Sequence, residues 1–212
     1  MTSVVPLAKQ DMSATAMVLA RSFRDDPMLT HILPDQHSRA RHLPRFLGAV
    51  QRYCWRYGEV HTTSDLGGVA CWLTPQATDL TYGRMTRAGL LPTVLLLGPR
   101  ALGRLSKVMS ASEVFHHRAV SGDHWYLWLL AADQGRARQG IGSALLSPVL
   151  AQADEAQQPV YLETHLETNL GFYERHGFRV VVDEVVDGLR IWGLRRGATG
   201  DNDAHVGDIA AD

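Results

Sequence analysis

The sequence predicts an α+β sandwich: a mixed, mostly antiparallel twisted sheet of about seven strands flanked by helices. Three observations predict it. Two short apolar runs, Glu59–Thr63 and Gly68–Leu73, flank the turn-like Ser64-Asp65-Leu66-Gly67. A long apolar run, His124–Ala132, leads through a glycine-containing turn into a segment of helical period. A second hairpin, Phe178–Asp187 and Leu189–Arg195, closes the pattern over Asp187-Gly188.

Size and composition bound this reading. The 212 residues, 45% of them hydrophobic, suffice for one domain with a real core. Charged residues make up 20% and the net charge is -1, which argues against a disordered chain and against a nucleic-acid partner. Four of the 22 acidic residues lie in 201–212, a stretch without Lys or Arg. Residues 1–196 therefore hold 21 basic against 18 acidic side chains, a body suited to an anionic ligand. Cys54 and Cys71 lack metal-ligand spacing and read as buried free thiols of a reducing compartment; no metal is expected. Residues 1–12 lack the apolar stretch of a secretion signal, and Gly89–Gly98 is interrupted by Pro92 and too short for a bilayer. A cytoplasmic protein with no membrane partner is expected.

The elements follow in order. Val4, Val5 and Leu7 read as a strand, and Asp11 or Ser13 caps a helix that ends at Asp25-Asp26-Pro27. Ser38 starts a second helix, which Gly58 stops. After the first hairpin, residues 76–122 form a lid-like insertion of helical pieces, with Ser110 and Glu113 as a capping box. His124–Ala132 is a strand buried on both faces, Gly140–Gln157 a helix kinked at Pro148, Val160–His165 a strand and Glu167–His176 a helix. Residues 1–196 read as one domain and 197–212 as a disordered acidic tail.

The turn Gln134-Gly-Arg-Ala-Arg-Gln-Gly-Ile-Gly-Ser143 sits where a buried strand meets a helix N-terminus. The first N–H groups of a helix have no internal partner, and its dipole favours an anion there. Gly140 and Gly142 remove side chains where a phosphate needs backbone. The dinucleotide fingerprint fails at Leu145, and no Gly-Lys-Ser/Thr loop or G-x-S-x-G elbow exists. His116 and His117 lie about 100° apart on a helix and read as a solvated pair. The five tryptophans read as core or pocket wall.

The stretch His124–Phe178 resembles the acyl-CoA-binding half of the GNAT N-acetyltransferase superfamily. The turn is similar to the family's Gln/Arg-x-x-Gly-x-Gly/Ala loop. Asn169-Leu-Gly-Phe-Tyr173-Glu-Arg-His-Gly177-Phe178 is similar to its second motif. One position departs, because Ala137 stands where the family has Gln or Arg. Ala20–Asp35, Trp72–Pro75, the Pro148-containing helix and Leu162–Phe178 extend the likeness to the puromycin N-acetyltransferase family; residues 76–122 do not follow it.

The resemblance implies transfer of an acetyl group from acetyl-CoA, as co-substrate, to a primary amine of a small, partly apolar, antibiotic- or metabolite-like molecule. Attack is direct, in a ternary complex. It implies a cofactor cradle of Leu130, Ala131, Ala132, Ala137, Arg138, Gln139, Gly140, Ile141, Gly142 and Ser143, with Asn169 and Tyr173 on the pantetheine arm. Tyr173 protonates the departing thiolate. The amine's proton has three open routes: Glu163, His124 or a water chain. Phe23, Asp26, Met28 and Trp72, with Leu90–Leu97, fall on the acceptor side. The chain is expected to act as a monomer or homodimer. Two alternatives stand beside this reading: acetylation of protein N-termini or lysines, and a non-catalytic acyl-CoA-binding regulatory module.

Overall fold

The computed structural model describes residues 3–133, 135 and 139–197. Seven strands form one sheet in the order β1-β2-β3-β4-β5-β7-β6. They are β1 (Val4–Pro6), β2 (Gly58–Thr63), β3 (Gly68–Leu73), β4 (Trp125–Ala132), β5 (Val160–Thr164), β6 (Arg179–Val186) and β7 (Leu189–Arg196). Every neighbouring pair is antiparallel except β4 and β5. The α+β class and the mostly antiparallel seven-stranded sheet are therefore as the sequence indicates.

Among the described residues eight α-helices accompany the sheet: α1 (Met12–Ser22), α2 (Pro27–Ile32), α3 (Gln36–Tyr57), α4 (Tyr82–Arg87), α5 (Leu90–Leu95), α6 (Pro99–Ala119), α7 (Ile141–Glu155) and α8 (Leu170–Glu174). The core has two main parts. Leu19, Leu43, Leu47, Tyr53 and their neighbours on α1 to α3 pack on one sheet face, with β2 and β3. Leu145, Leu146 and Val149 of α7 pack on the other, against Trp72, Leu162 and Leu194.

Local chemistry moves several boundaries. Asp26 does not only end α1; its Oδ1 accepts from the N–H groups of Met28 and Leu29 and so caps α2. Asp35, whose carboxylate accepts from the Ser38 N–H, starts α3 two residues earlier than Ser38. Ser110 and Glu113 form no cap, because α6 runs unbroken from Pro99 through both. α7 continues through Pro148 to Glu155. The helix expected over 167–176 is a 3-10 turn, Glu167–Asn169, followed by the short α8. Gly177, at φ +83, then turns the chain back so that the Phe178 N–H donates to the Tyr173 carbonyl. Arg196 fixes this corner: its guanidinium pairs with Asp154 of α7 at 2.6 and 2.8 Å and donates to the His176 carbonyl.

The insertion over 76–122 divides in two. α4 and α5 lie together, with α5 against α3, whereas α6 reaches across to β6, β7 and α2.

One irregularity shapes the centre of the sheet. Cys71 of β3 opposes Leu129 and Trp72 opposes Leu127, so Trp128 is an extra residue in β4. The bulge reverses the side-chain alternation. Tyr126 and Trp128, then Leu129 and Ala131, face the α1–α3 side; Trp125 and Leu127, then Leu130 and Ala132, face α7.

Candidate active site

β4 and β5 pair at only three registers, Trp125 with Val160, Tyr126 with Tyr161 and Leu127 with Leu162. Past the bulge the two strands part, and a cavity of about 440 Å³ lies at the opening. β4 contributes Tyr126 to Ala132, and the end of β5 contributes Glu163, Thr164 and His165. Asn169 enters from the 3-10 turn before α8 and Tyr173 from α8; Phe23, Asp26 and Met28 enter from the end of α1 and the start of α2. Phe46, Leu47 and Val50 of α3 add an apolar wall, and Met109 and Ser112 of α6 close it. Residues 76–122 thus meet the cavity through α6.

The bulge also decides which backbone groups face the opening. The Asp133 N–H donates to the Gly67 carbonyl of the neighbouring chain segment. In an antiparallel ladder alternate residues point the same way. Ala131 and Leu129 therefore turn their polar groups to β3, and Ala131 reaches the cavity as part of its lining. Leu130 and Ala132 turn theirs to the splayed side. The Ala132 carbonyl already accepts from the Ser22 hydroxyl of α1 at 2.8 Å.

At the glycine turn, Gly140 holds φ +75 at the N-cap of α7, and among the described residues no side chain caps this helix start. Gln139 and Ser143 are exposed. The Ile141 side chain belongs to the core, so only its backbone is available at the turn. A Cβ on Gly142 would stand 3.0 Å from Cζ of Phe172. Close packing of α7 on α8 therefore leaves little room for a side chain here unless Phe172 shifts. Ala137 and Arg138, with Arg136, lie outside the described residues.

Tyr173 is 7% exposed, edge-on to Phe172 and Phe178. Burial pushes its phenol above the usual tyrosine range, which keeps it protonated at neutral pH. Asn169, one turn earlier, donates through Nδ2 to the Thr164 hydroxyl at 3.1 Å and so ties α8 to the end of β5.

Glu163 is raised to about 7, first by burial; hydrogen bonds from the Ser112 and Tyr161 hydroxyls act in the opposite direction. The Tyr161 hydroxyl donates to Glu163 Oε1 at 3.0 Å. Asp26 is raised to about 6 by burial, against the lowering effect of the two N–H groups it caps. His165, two residues beyond Glu163, is lowered to about 4 by burial, and its Nε2 has no partner.

Three expectations fall elsewhere. Trp72 is wholly buried under α7 on the opposite sheet face, because its strand parity points it away from the cavity. Leu90, Val94 and Leu97 bury against the α3 side of the core and do not line the cavity. His124 has both ring nitrogens engaged, Nδ1 with the Gly122 carbonyl at 2.7 Å and Nε2 with His116 at 2.6 Å. His116 is accordingly not solvated: it stacks on Tyr161 with centroids 4.6 Å apart. Sequence reasoning missed Ser112 and His165. Met109, Ser112 and His116 recur at helical spacing, a face that was legible in principle.

Among the described residues, no group of three or more His, Cys, Asp or Glu is placed to hold a metal ion, and no helix is long and apolar enough to cross a membrane.

Residues 108–180 match the family model described as an acetyltransferase (GNAT) domain. A probable serine/threonine-protein kinase of Dictyostelium discoideum is 22% identical over 201 residues, 87% of this chain and 21% of that one. A mycothiol acetyltransferase of Clavibacter sepedonicus is 34% identical over 123 residues, 52% of this chain and 37% of that one. The chain thus spans well under half the length of these curated relatives. Among solved structures, one described as a histone acetyltransferase HPA2 and related acetyltransferase from Corynebacterium glutamicum superposes with a TM-score of 0.65 at 19% identity, over 93% of this chain and 97% of the other. The motif-bearing strand, turn and short helix described above fall inside the matched segment, so over residues 108–180 the chain is similar to a GNAT acetyltransferase domain, and its overall fold is that of the Corynebacterium structure.

Proposed function

We propose that this protein transfers an acetyl group from acetyl-CoA to a primary amine of a small, partly apolar molecule by direct attack in a ternary complex. One observation carries the reading: the parting of β4 and β5 opens into a cavity that holds Tyr173, Asn169 and Glu163 together. The similarity of Ala20–Asp35, which carries the Asp25–Met28 bend on the acceptor side, to puromycin N-acetyltransferase supports the same acceptor class.

Acetyl-CoA supplies an activated acetyl group. The residues present suit it. The open edge at Leu130 and Ala132 offers backbone groups for an extended amide-bearing arm. The N-terminus of α7, behind Gly140, offers N–H groups and a dipole to phosphates. Glu163 takes the proton that an amine must lose to attack. With a pKa of about 7 it is a usable base near neutral pH. Tyr173 stays protonated and donates to the leaving sulfur. Asp26, its Oδ1 engaged in the α2 cap, lines the acceptor side with Phe23 and Met28.

The cavity favours a small acceptor over a protein tail. Phe23, Met28, Phe46, Leu47, Val50 and Met109 make its wall apolar, and α6 covers it. Tyr173 within the cavity favours an enzyme over a regulatory module. Incubation with acetyl-CoA and a panel of aromatic and aliphatic amines, followed by release of free CoA thiol, tests the reading. Amine-dependent thiol release is expected, and its absence across the panel removes the reading.

A further inference from the structure

α6 belongs to the insertion that least follows the resembling family, yet it reaches the strand that carries Glu163. Ser112 and His116 lie one turn apart on it and so face the same way. Ser112 is 7% exposed and lines the cavity with Glu163, whose carboxyl pKa its hydroxyl acts to lower. His116 stacks flat on the ring of Tyr161, with 4° between the planes, and is itself held by His124. Tyr161 in turn donates to Glu163 Oε1 at 3.0 Å. Space for that hydroxyl is provided from the third side. Gly193 of β7 pairs directly opposite Glu163, and a Cβ there would stand 2.5 Å from the Tyr161 oxygen.

We propose that Ser112 and Tyr161 are positioning residues that hold the Glu163 carboxylate in its ionised form and in one orientation, so that the insertion helix α6 sets the readiness of the base. The proposal rests on Glu163 being the group that takes the acceptor's proton.

The physical argument concerns a buried acid. Burial disfavours the carboxylate, and two hydroxyl donors oppose it. The other groups around Glu163 do not replace them. Tyr126 of β4 is raised well above the tyrosine range and stays neutral. Tyr173 of α8 likewise stays neutral. His165 beyond β5 and His116 of α6, lowered to about 4 and about 3, are neutral at pH 7. Asp26 across the cavity brings negative charge when it ionises, which works against a second carboxylate. Arg118 of α6 acts on Tyr161, but its guanidinium is engaged by Glu184 at 2.9 Å.

The test is a carboxyl-detected NMR titration of the full chain, with the Glu163 signal assigned by its loss in Glu163→Gln. Wild type should titrate near 7. Ser112→Ala and Tyr161→Phe, each of which removes one donor and little volume, should each move the midpoint up by about one pH unit. A midpoint that stays put in both variants overturns the proposal, and neither outcome requires turnover. The pH profile of kcat/KM tests the underlying reading separately. Its acid limb should rise with the NMR midpoint in each variant and vanish in Glu163→Gln. A limb that ignores all three substitutions overturns Glu163 as the base, whereas a uniform loss at every pH with no NMR shift makes the two hydroxyls merely structural.

Discussion

Gly193 and Tyr161 stand on adjacent strands, and the space that a side chain on the glycine would fill is taken by the tyrosine hydroxyl, 2.5 Å from where a Cβ would lie. The same Cβ would press on Val182 of β6 at 2.9 Å. Gly193→Ala is therefore an overpacking change on both sides, at a cost of about 1–3 kcal/mol. A fall in melting temperature of roughly 3–10 °C is expected, with loss of the Tyr161–Glu163 hydrogen bond. An unchanged melt would mean that Tyr161 swings aside without penalty.

Tyr173→Phe deletes one oxygen and keeps the ring that packs on Phe172 and Phe178. Acetyl-CoA affinity should hold, and kcat should drop by roughly 10²-fold or more, the usual scale for a lost general acid. Equal kcat in the two proteins would assign the leaving thiolate another donor.

Gly142→Val acts twice. Its side chain would meet Phe172, whose Cζ lies 3.0 Å from the first added carbon, and would crowd the α7 N-terminus. The melting temperature without ligand should fall, and acetyl-CoA should no longer raise it as mass action requires. Wild-type response to acetyl-CoA would place its phosphates away from α7; an unchanged ligand-free melt would contradict the Phe172 contact.

Much of this arrangement is legible in the sequence because it is local. β4, the glycine turn, α7 and the Asn169–Phe178 segment carry their patterns in contiguous residues, and the structure brings Asn169, Tyr173 and Glu163 to one cavity. Trp72 is different. Which way it points depends on sheet parity, and parity is settled by which face α7 covers, a tertiary fact. The bulge at Trp128 reverses alternation within an all-apolar run, where no polar residue marks the change. His116 looks solvated in sequence because its partners, His124 and Tyr161, come from other elements. Ser110 and Glu113 read as a cap only while α6 is thought to begin there; Pro99 at its first turn is the actual start signal.

Stability should reveal the strained carboxyl without any assay of turnover. A carboxyl raised by burial binds its proton more tightly in the folded protein than in the unfolded chain. As pH rises from about 4.5 to about 7, Glu163 therefore lowers folded-state stability, and the loss is complete above 7. Glu163→Gln removes this dependence. Its melting temperature should exceed that of wild type by roughly 3–6 °C at about pH 8.5 and converge with it near pH 5. A difference independent of pH would mean that Glu163 is ionised throughout.

The central claim, acetyl transfer to a small aromatic or otherwise apolar amine, is tested most directly by steady-state kinetics with acetyl-CoA and three acceptors: an aromatic aminoacyl amide, spermidine and a lysine-rich peptide. The apolar wall of Phe23, Met28 and Phe46 beneath α6 predicts that the aromatic amide is acetylated with kcat/KM at least about tenfold above the other two. Preference for spermidine or for the peptide, or no acetylation of any of the three, would contradict it.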